Sequence, residues 1–127
     1  MLKELTICII IITGILGLEL FTQNFTSKTV NEITNQFNNL KENISKQDIE
    51  QINKNIDNIW NKWEQEQKKL AFYIEHDELE KVHSAIVKAK SYIKTENFSE
   101  AMAELEEGKF VIEHIQEKNS FNLQNIF

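Results

Sequence analysis

A chain of 127 residues is room for one domain. It has no Pro, 3 Gly and 1 Cys, which makes tight β-turns scarce, favours long helices and excludes an internal disulfide. All 14 basic residues are Lys, and the net charge of −6 excludes the broad basic face that nucleic-acid binding needs.

The first element is apolar. Leu5 to Leu18 reads LTICIIIITGILGL without a charge, and Glu19, Leu20 and Phe21 follow. Through Phe21 this is about 17 residues, the lower bound for a membrane-crossing helix, with Glu19 near the boundary where a carboxylate reaches headgroups or water. A cleaved signal peptide has an apolar region of similar length, but ELFTQNFTSK after Leu18 offers no small-x-small cleavage site. Cys8 lies inside the apolar run, whereas a lipoprotein signal places its cysteine after it. The pattern predicts an uncleaved anchor over residues 1–21 that meets the membrane through residues 5–21. Lys3 and the amino terminus are the nearest positive charges on one side and Lys28 on the other, which favours an extracytoplasmic bulk. Thr13-x-x-x-Gly17 is a small-xxx-small spacing that a second helix could approach. A lipid-facing helix with two harmless glycines accounts for it equally well.

A regular beat of apolar residues follows. Val30, Ile33, Phe37, Leu40 and Ile44 are spaced three and four apart. Ile49, Ile52, Ile56, Ile59 and Trp63 continue it, with Leu70 and Tyr73 in phase. Leu79, Val82, Ile86, Ala89 and Ile93 repeat it, as do Phe98, Ala101, Leu105, Gly108, Ile112 and Ile115. That spacing is the a/d stripe of helices packed nearly parallel or antiparallel. Ser45, Asp77 and either Asn97 or Ser99 read as N-caps. A helix from Ser45 to Glu75 would be about 45 Å long. Folding the chain about turns near residues 45 and 96 sets Val30 against Ile59, Ile33 against Ile56, Phe37 against Ile52, Ile93 against Phe98, Ala89 against Met102 and Leu79 against Ile112. Apolar meets apolar each time. The expected fold is all-α: an N-terminal transmembrane helix continuous with an up-down-up-down antiparallel bundle of four helices. The domains divide as anchor 1–21, bundle 22–118 and apolar tail 119–127.

The stretch EHDELEKVH, residues 75–83, concentrates residue types that bind metals or move protons. Its acids are explained by a helix start, where the macrodipole favours negative charge. Glu80-x-x-His83 has the spacing used by di-iron bundles, but those need a second such pair and two more inward glutamates. The last helix offers Glu113, His114 and Glu117 instead. His76, Glu80, His83 and His114 are therefore weak metal candidates only, and no metal or other cofactor is expected. No serine sits in a nucleophile elbow, and no glycine-rich phosphate loop occurs, so no catalytic residue is assigned and the chain reads as non-enzymatic. Trp60 and Trp63 share a helical face and are candidates for the core or for a partner-binding patch. The beat is lost after Asn119, yet Phe121, Leu123, Ile126 and Phe127 are apolar. Phe121, Ile126 and Phe127 are candidates for packing under the bundle or docking a membrane partner.

The segments GLELFTQNFTSKTV, IDNIWNKWEQEQKKLAFYIEHDELEKV and AMAELEEGKFVIEHIQEKNSFNLQNIF resemble a family of small membrane-anchored Gram-positive bacterial proteins, the domain of unknown function 4363. The resemblance covers essentially the whole chain and carries no catalytic motif. It implies an integral membrane partner of the YetF-like kind. The sequence thus predicts a single-pass protein of the cell membrane acting as a non-enzymatic accessory to an integral membrane protein, or pairing with a second copy of itself. The alternatives are an extracytoplasmic small-ligand sensor or binder and a metal-binding helical bundle.

Overall fold

The computed structural model describes the backbone of residues 1–126 and the side chains of residues 1–119. Four helices account for nearly all of it: α1 (Leu2–Ser45), α2 (Ile49–Leu70), α3 (His76–Lys94) and α4 (Phe98–Ile126). No strand occurs among the described residues. Each helix packs against its two neighbours in the cyclic order α1, α2, α3, α4, and among the described residues no diagonal pair of helices comes into close backbone approach. This is the up-down-up-down bundle that the spacing predicts.

The core is the a/d stripe. Ile33, Phe37, Leu40, Ile52, Ile59, Trp63, Val82, Ile86, Ala89, Ala101 and Ile112 are wholly buried. Burying one such aliphatic or aromatic side chain contributes about 1.5–3 kcal/mol before chain entropy is set against it. Ile49 departs from the stripe. As the first residue of α2 it stays exposed, beside a cavity that it shares with the α3–α4 turn.

Helix α1 is a single rod of 44 residues, about 66 Å long at 1.5 Å per residue. Its second half, from Thr26 to Ile44, supplies core side chains. Its first half supplies none. An 18-residue window there has mean hydropathy 2.3 and no buried residue. Among the described residues nothing lies within 4 Å of a Cβ placed on Gly14 or Gly17, so no neighbouring helix approaches these glycines.

Two of the three turns share one design. Lys46 and Thr95 end α1 and α3, and Gln47 and Glu96 follow, both with φ of 58°. Asp48 N donates to the Asn43 carbonyl and Gln47 N to that of Ile44; Asn97 N and Glu96 N donate likewise to Tyr92 and Ile93. These are Schellman closures, which normally place Gly at the left-handed position. With no Gly available, Gln47 and Glu96 adopt it at a cost of about 1–2 kcal/mol each. The next helix starts at once. The Asp48 side chain caps α2 by accepting from Gln51 N at 3.3 Å, so Asp48 is the cap, while Ser45 is the last residue of α1.

Other boundaries differ from the sequence expectation too. The second helix is 22 residues, Ile49–Leu70, rather than a run from Ser45 to Glu75. A looser turn at residues 71–75 bonds Ile74 N back to the Leu70 carbonyl at 2.8 Å. Helix α3 starts at His76, and its N-cap residue, Glu75, makes no side-chain cap bond. Asp77 lies inside the first turn instead, where its charge still favours the helix start. The backbone of α4 stays helical through Ile126, although the apolar beat fades after Asn119. Helix propensity carries a backbone on where the packing stripe stops.

The α3–α4 pair is the most closely packed. Ala85, Ala89, Ala101 and Gly108 are buried, and a Cβ on Gly108 would sit 3.1 Å from Ala85 Cβ and 3.5 Å from the Phe37 ring. Glycine inside a helix costs about 1 kcal/mol relative to Ala; here it lets two backbones approach. The facing atom is itself a Cβ and has no rotamer in which to move away.

Two outcomes follow. Gln47→Gly and Glu96→Gly should each raise stability by about 1 kcal/mol in thermal melts followed by helical circular dichroism; unchanged or lowered melting would contradict the left-handed closures. Gly108→Leu should cost about 1–3 kcal/mol through overpacking, while Gly108→Ala should be near neutral, its helix gain of about 1 kcal/mol offsetting the contact.

Candidate functional site

The up-down order gives the bundle two unlike ends. The α1–α2 and α3–α4 turns share one end, where Ile49, Asn53, Thr95, Glu96 and Phe98 line a cavity of about 410 Å³. At the other end α1 leaves the bundle, the α2–α3 turn closes, and α4 passes beside both. Gln116 Nε2 donates to Ser27 Oγ at 3.0 Å. Lys118 Nζ meets Glu75 at 3.1 Å and Glu78 at 3.6 Å. The Glu75 carboxylate holds the Lys118 ammonium above its ordinary pKa, with Glu78 adding to the effect.

This second end is aromatic. Leu18, Phe21, Thr22 and Phe25 of α1 line a groove of about 380 Å³ with Lys69, Phe72 and Tyr73. Lys69 Nζ stands 5.7 Å from the centre of the Phe25 ring, within cation–π range. The Phe21 and Phe25 rings lie nearly parallel, with centroids 6.5 Å apart. Phe72 is 90% exposed and belongs to no stripe. Tyr73 closes the groove. Its hydroxyl is 2.6 Å from Thr26 Oγ1 and 3.3 Å from the Thr22 carbonyl. Thr26 Oγ1 itself donates to that carbonyl at 2.7 Å, which leaves it as acceptor for the phenol. Desolvation pushes the Tyr73 phenol above its ordinary pKa, against the Thr26 hydrogen bond.

Beneath the groove is a buried polar layer. Thr26, Thr29 and Glu66 are all under 7% exposed. Glu66 Oε1 lies 3.4 Å from Lys62 Nζ and 3.7 Å from Lys69 Nζ, and its Oε2 has no hydrogen-bond partner. Lys62 also reaches across to Glu32 of α1 at 2.6 Å. That bond lowers the Glu32 pKa and raises that of Lys62. The arrangement ties α1 to α2 about two turns inside the groove.

The histidines are distributed differently. His76, Glu80 and His83 line one open depression with Gln67, Lys68, Ala71 and Leu79. His76 Nε2 lies 3.4 Å from Glu80 Oε2, both exposed. His83 Nδ1 accepts from Trp63 Nε1 at 3.3 Å and lies 3.9 Å from Glu64 Oε1. That contact occupies one of its two ring nitrogens. His114 is exposed on α4 and does not border this depression. No group of three or more His, Cys, Asp or Glu side chains is placed to hold a metal ion among the described residues.

Trp63 is wholly buried, so in this conformation it presents no surface to a partner. Trp60 is half-buried, its ring 5.3 Å from that of His83 and 5.3 Å from Lys90 Nζ. Phe121, Ile126 and Phe127 lie outside the residues whose side chains are described. The sequence reading missed the groove. Its signal was Phe72, an aromatic out of phase with Leu70 and Tyr73 and close to two lysines.

A family model described as a domain of unknown function (DUF4363) matches residues 20–126, and the chain belongs to that family. No curated protein and no solved structure matches it.

The Tyr73 latch has a measurable signature. Its phenol ionises above the ordinary value of 10.0 in the folded chain. From about pH 10 upward the unfolded chain therefore loses this proton first, and stability falls as pH rises. Tyr73→Phe should flatten that alkaline decline relative to the parent chain in detergent micelles. It should also lower neutral-pH stability by about 1 kcal/mol through the lost hydrogen bonds. An unchanged alkaline slope would mean that the phenol is not desolvated in the folded chain, and unchanged neutral-pH stability that it does not hold the turn to α1.

Proposed function

We propose that this protein is a non-enzymatic accessory subunit, anchored by the first half of α1 and binding an integral membrane partner at the end of the bundle where α1 emerges. One observation carries the reading. A single unbroken helix supplies core residues from Thr26 onward and, before that, an apolar stretch of 18 residues with none buried. Ile7, Ile9, Ile10, Ile11, Ile12 and Ile15 are each more than half exposed. An apolar rod of that length is unfavourable in water and suited to a bilayer.

The partner-facing end has support of its own. Gln116 beside Ser27 and Lys118 beside Glu75 hold α4 against the emerging end of α1. The helix from Gln116 to Ile126 runs on for about 15 Å. That segment carries Phe121, Leu123 and Ile126 in its sequence, so apolar surface from α1 and from α4 would be offered to one partner. The charge distribution favours an extracytoplasmic bundle in a cell membrane, since Lys3 precedes the apolar run. A YetF-like membrane protein is the partner that family resemblance suggests.

Purification of the full-length protein from native membranes in mild detergent should bring a stoichiometric integral membrane protein with it. Deleting residues 121–127 should reduce retention of that partner several-fold while leaving the melting of the bundle unchanged. Recovery of the chain alone would overturn the accessory reading, and undiminished retention would remove the tail from the interface.

A further inference from the structure

The groove between α1 and the α2–α3 turn has a position that fixes its surroundings. Resting on the reading that the first half of α1 crosses a membrane, we infer that this groove seats an acyl chain of a phospholipid in the adjoining leaflet. Phe72 would dip into the interface and Lys69 would face the headgroup.

A hydrocarbon layer of about 30 Å takes about 20 helical residues. The uncharged run begins at Leu5, after Lys3 and Glu4, so a span at the lower bound of about 17 residues ends near Phe21, and Phe25 lies one turn further, at headgroup level. Phe21, Thr22 and Phe25 line the same groove as Phe72 and Tyr73, so the turn stands level with the membrane surface. Leu18, at the inner edge of the groove, would still be within the hydrocarbon. The groove is thus continuous with the lipid-facing surface of the span.

Its chemistry fits that place. Phe72, at 90%, is the most exposed large apolar side chain beyond the N-terminal segment among the described residues. It would be costly in bulk water and ordinary in an interfacial aromatic belt. Lys69 keeps its ammonium at the rim, over the Phe25 ring, where a long stem can run along apolar surface while the charge meets a lipid phosphate. The opposite end has a cavity of its own beside Ile49 and Phe98, but no aromatic in either of its turns. Its turns are Lys46-Gln47-Asp48 and Thr95-Glu96-Asn97.

The test uses the full-length chain with Cys8→Ser, reconstituted in vesicles of phosphatidylcholine and phosphatidylglycerol. Nitroxide labels are placed singly through Phe72→Cys, Ile11→Cys in the span and Lys46→Cys at the far end. Power saturation with oxygen and with a water-soluble nickel chelate reads their depth. The expected result is a label at 72 several-fold less accessible to the nickel chelate than the label at 46, yet accessible to oxygen. In parallel, a phosphatidylglycerol bearing a photoreactive acyl chain should cross-link the Cys8→Ser chain, with native Phe72, within residues 18–25 or 69–73. Lys69→Glu should lower that yield.

Each other outcome overturns the lipid seat. A label at 72 as nickel-accessible as that at 46, with 11 buried, leaves the anchor standing and removes the seat. A label at 72 shielded from both reagents means that protein covers the groove, either the 121–127 segment or a second copy. A nickel-accessible label at 11 removes the membrane reading itself.

Discussion

The structure depends on α1 being one helix with no break between its two environments. Its backbone hydrogen bonds run unbroken from Leu2 to Ser45, and no Pro or tightly packed Gly interrupts them near residue 25. A helix bends sharply only where such a feature intervenes. Whatever holds the first half of α1 therefore also sets the tilt and rotation of the bundle. A flexible tether would decouple the two; this rod does not. That makes the contacts at the point of emergence matter more than their number suggests. Tyr73 reaches back to Thr22 and Thr26, and Glu32 pairs with Lys62. Together they lock the α2–α3 turn and α2 to the rod at its exit.

The bundle itself is held in two ways. Toward the turns at Gln47 and Glu96 the interior is apolar, with the small residues of α3 and α4 allowing a close approach at Gly108 and Ala85. Toward the exit of α1 the interior becomes polar. Glu66 is buried between Lys62 and Lys69 with one carboxylate oxygen unpaired. A buried ion pair of this kind adds little net stability, since desolvation offsets most of the attraction, but removing either partner is costly. Its effect is one of alignment, because a charged layer penalises registers that an apolar stripe would tolerate.

Much of this was legible in the sequence. The three-and-four spacing of Ile33, Phe37, Leu40, Ile52, Ile56 and Ile59 gave the core, because burial of a helix face leaves a periodic trace. The helix count and antiparallel order followed from short breaks between stripes. The caps were harder to read. Ser45 and Asp48 both lie in one break, and either could accept from a helix start; Asp48 does so because the left-handed Gln47 ends α1 one residue past Lys46. A sequence with Gly at 47 would have shown that closure. The groove was not legible, since it joins residues about fifty positions apart, such as Phe21 and Phe72, that share no periodicity. Trp63 and His83 were both conspicuous in the sequence, yet their pairing is a core hydrogen bond across α2 and α3. It satisfies an indole N–H that burial would otherwise leave without a partner.

The same topology explains why the two ends differ in composition. An up-down-up-down bundle sends its first and third turns to one end and its second turn, first helix and last helix to the other. The first and third turns are Lys46-Gln47-Asp48 and Thr95-Glu96-Asn97, polar in every position. The second is Ala71-Phe72-Tyr73-Ile74, flanked by Lys68 and Lys69. In water at both ends, nothing would favour that asymmetry, and an exposed Phe72 would carry only a solubility cost. With an apolar phase on one side it becomes the expected distribution. One end would then lie in water with polar turns, and the other would meet the apolar phase with its aromatics, its cations on stems long enough to reach back to phosphates. The composition of a turn far along the chain from α1 thus points the same way as the exposed apolar half of α1 itself.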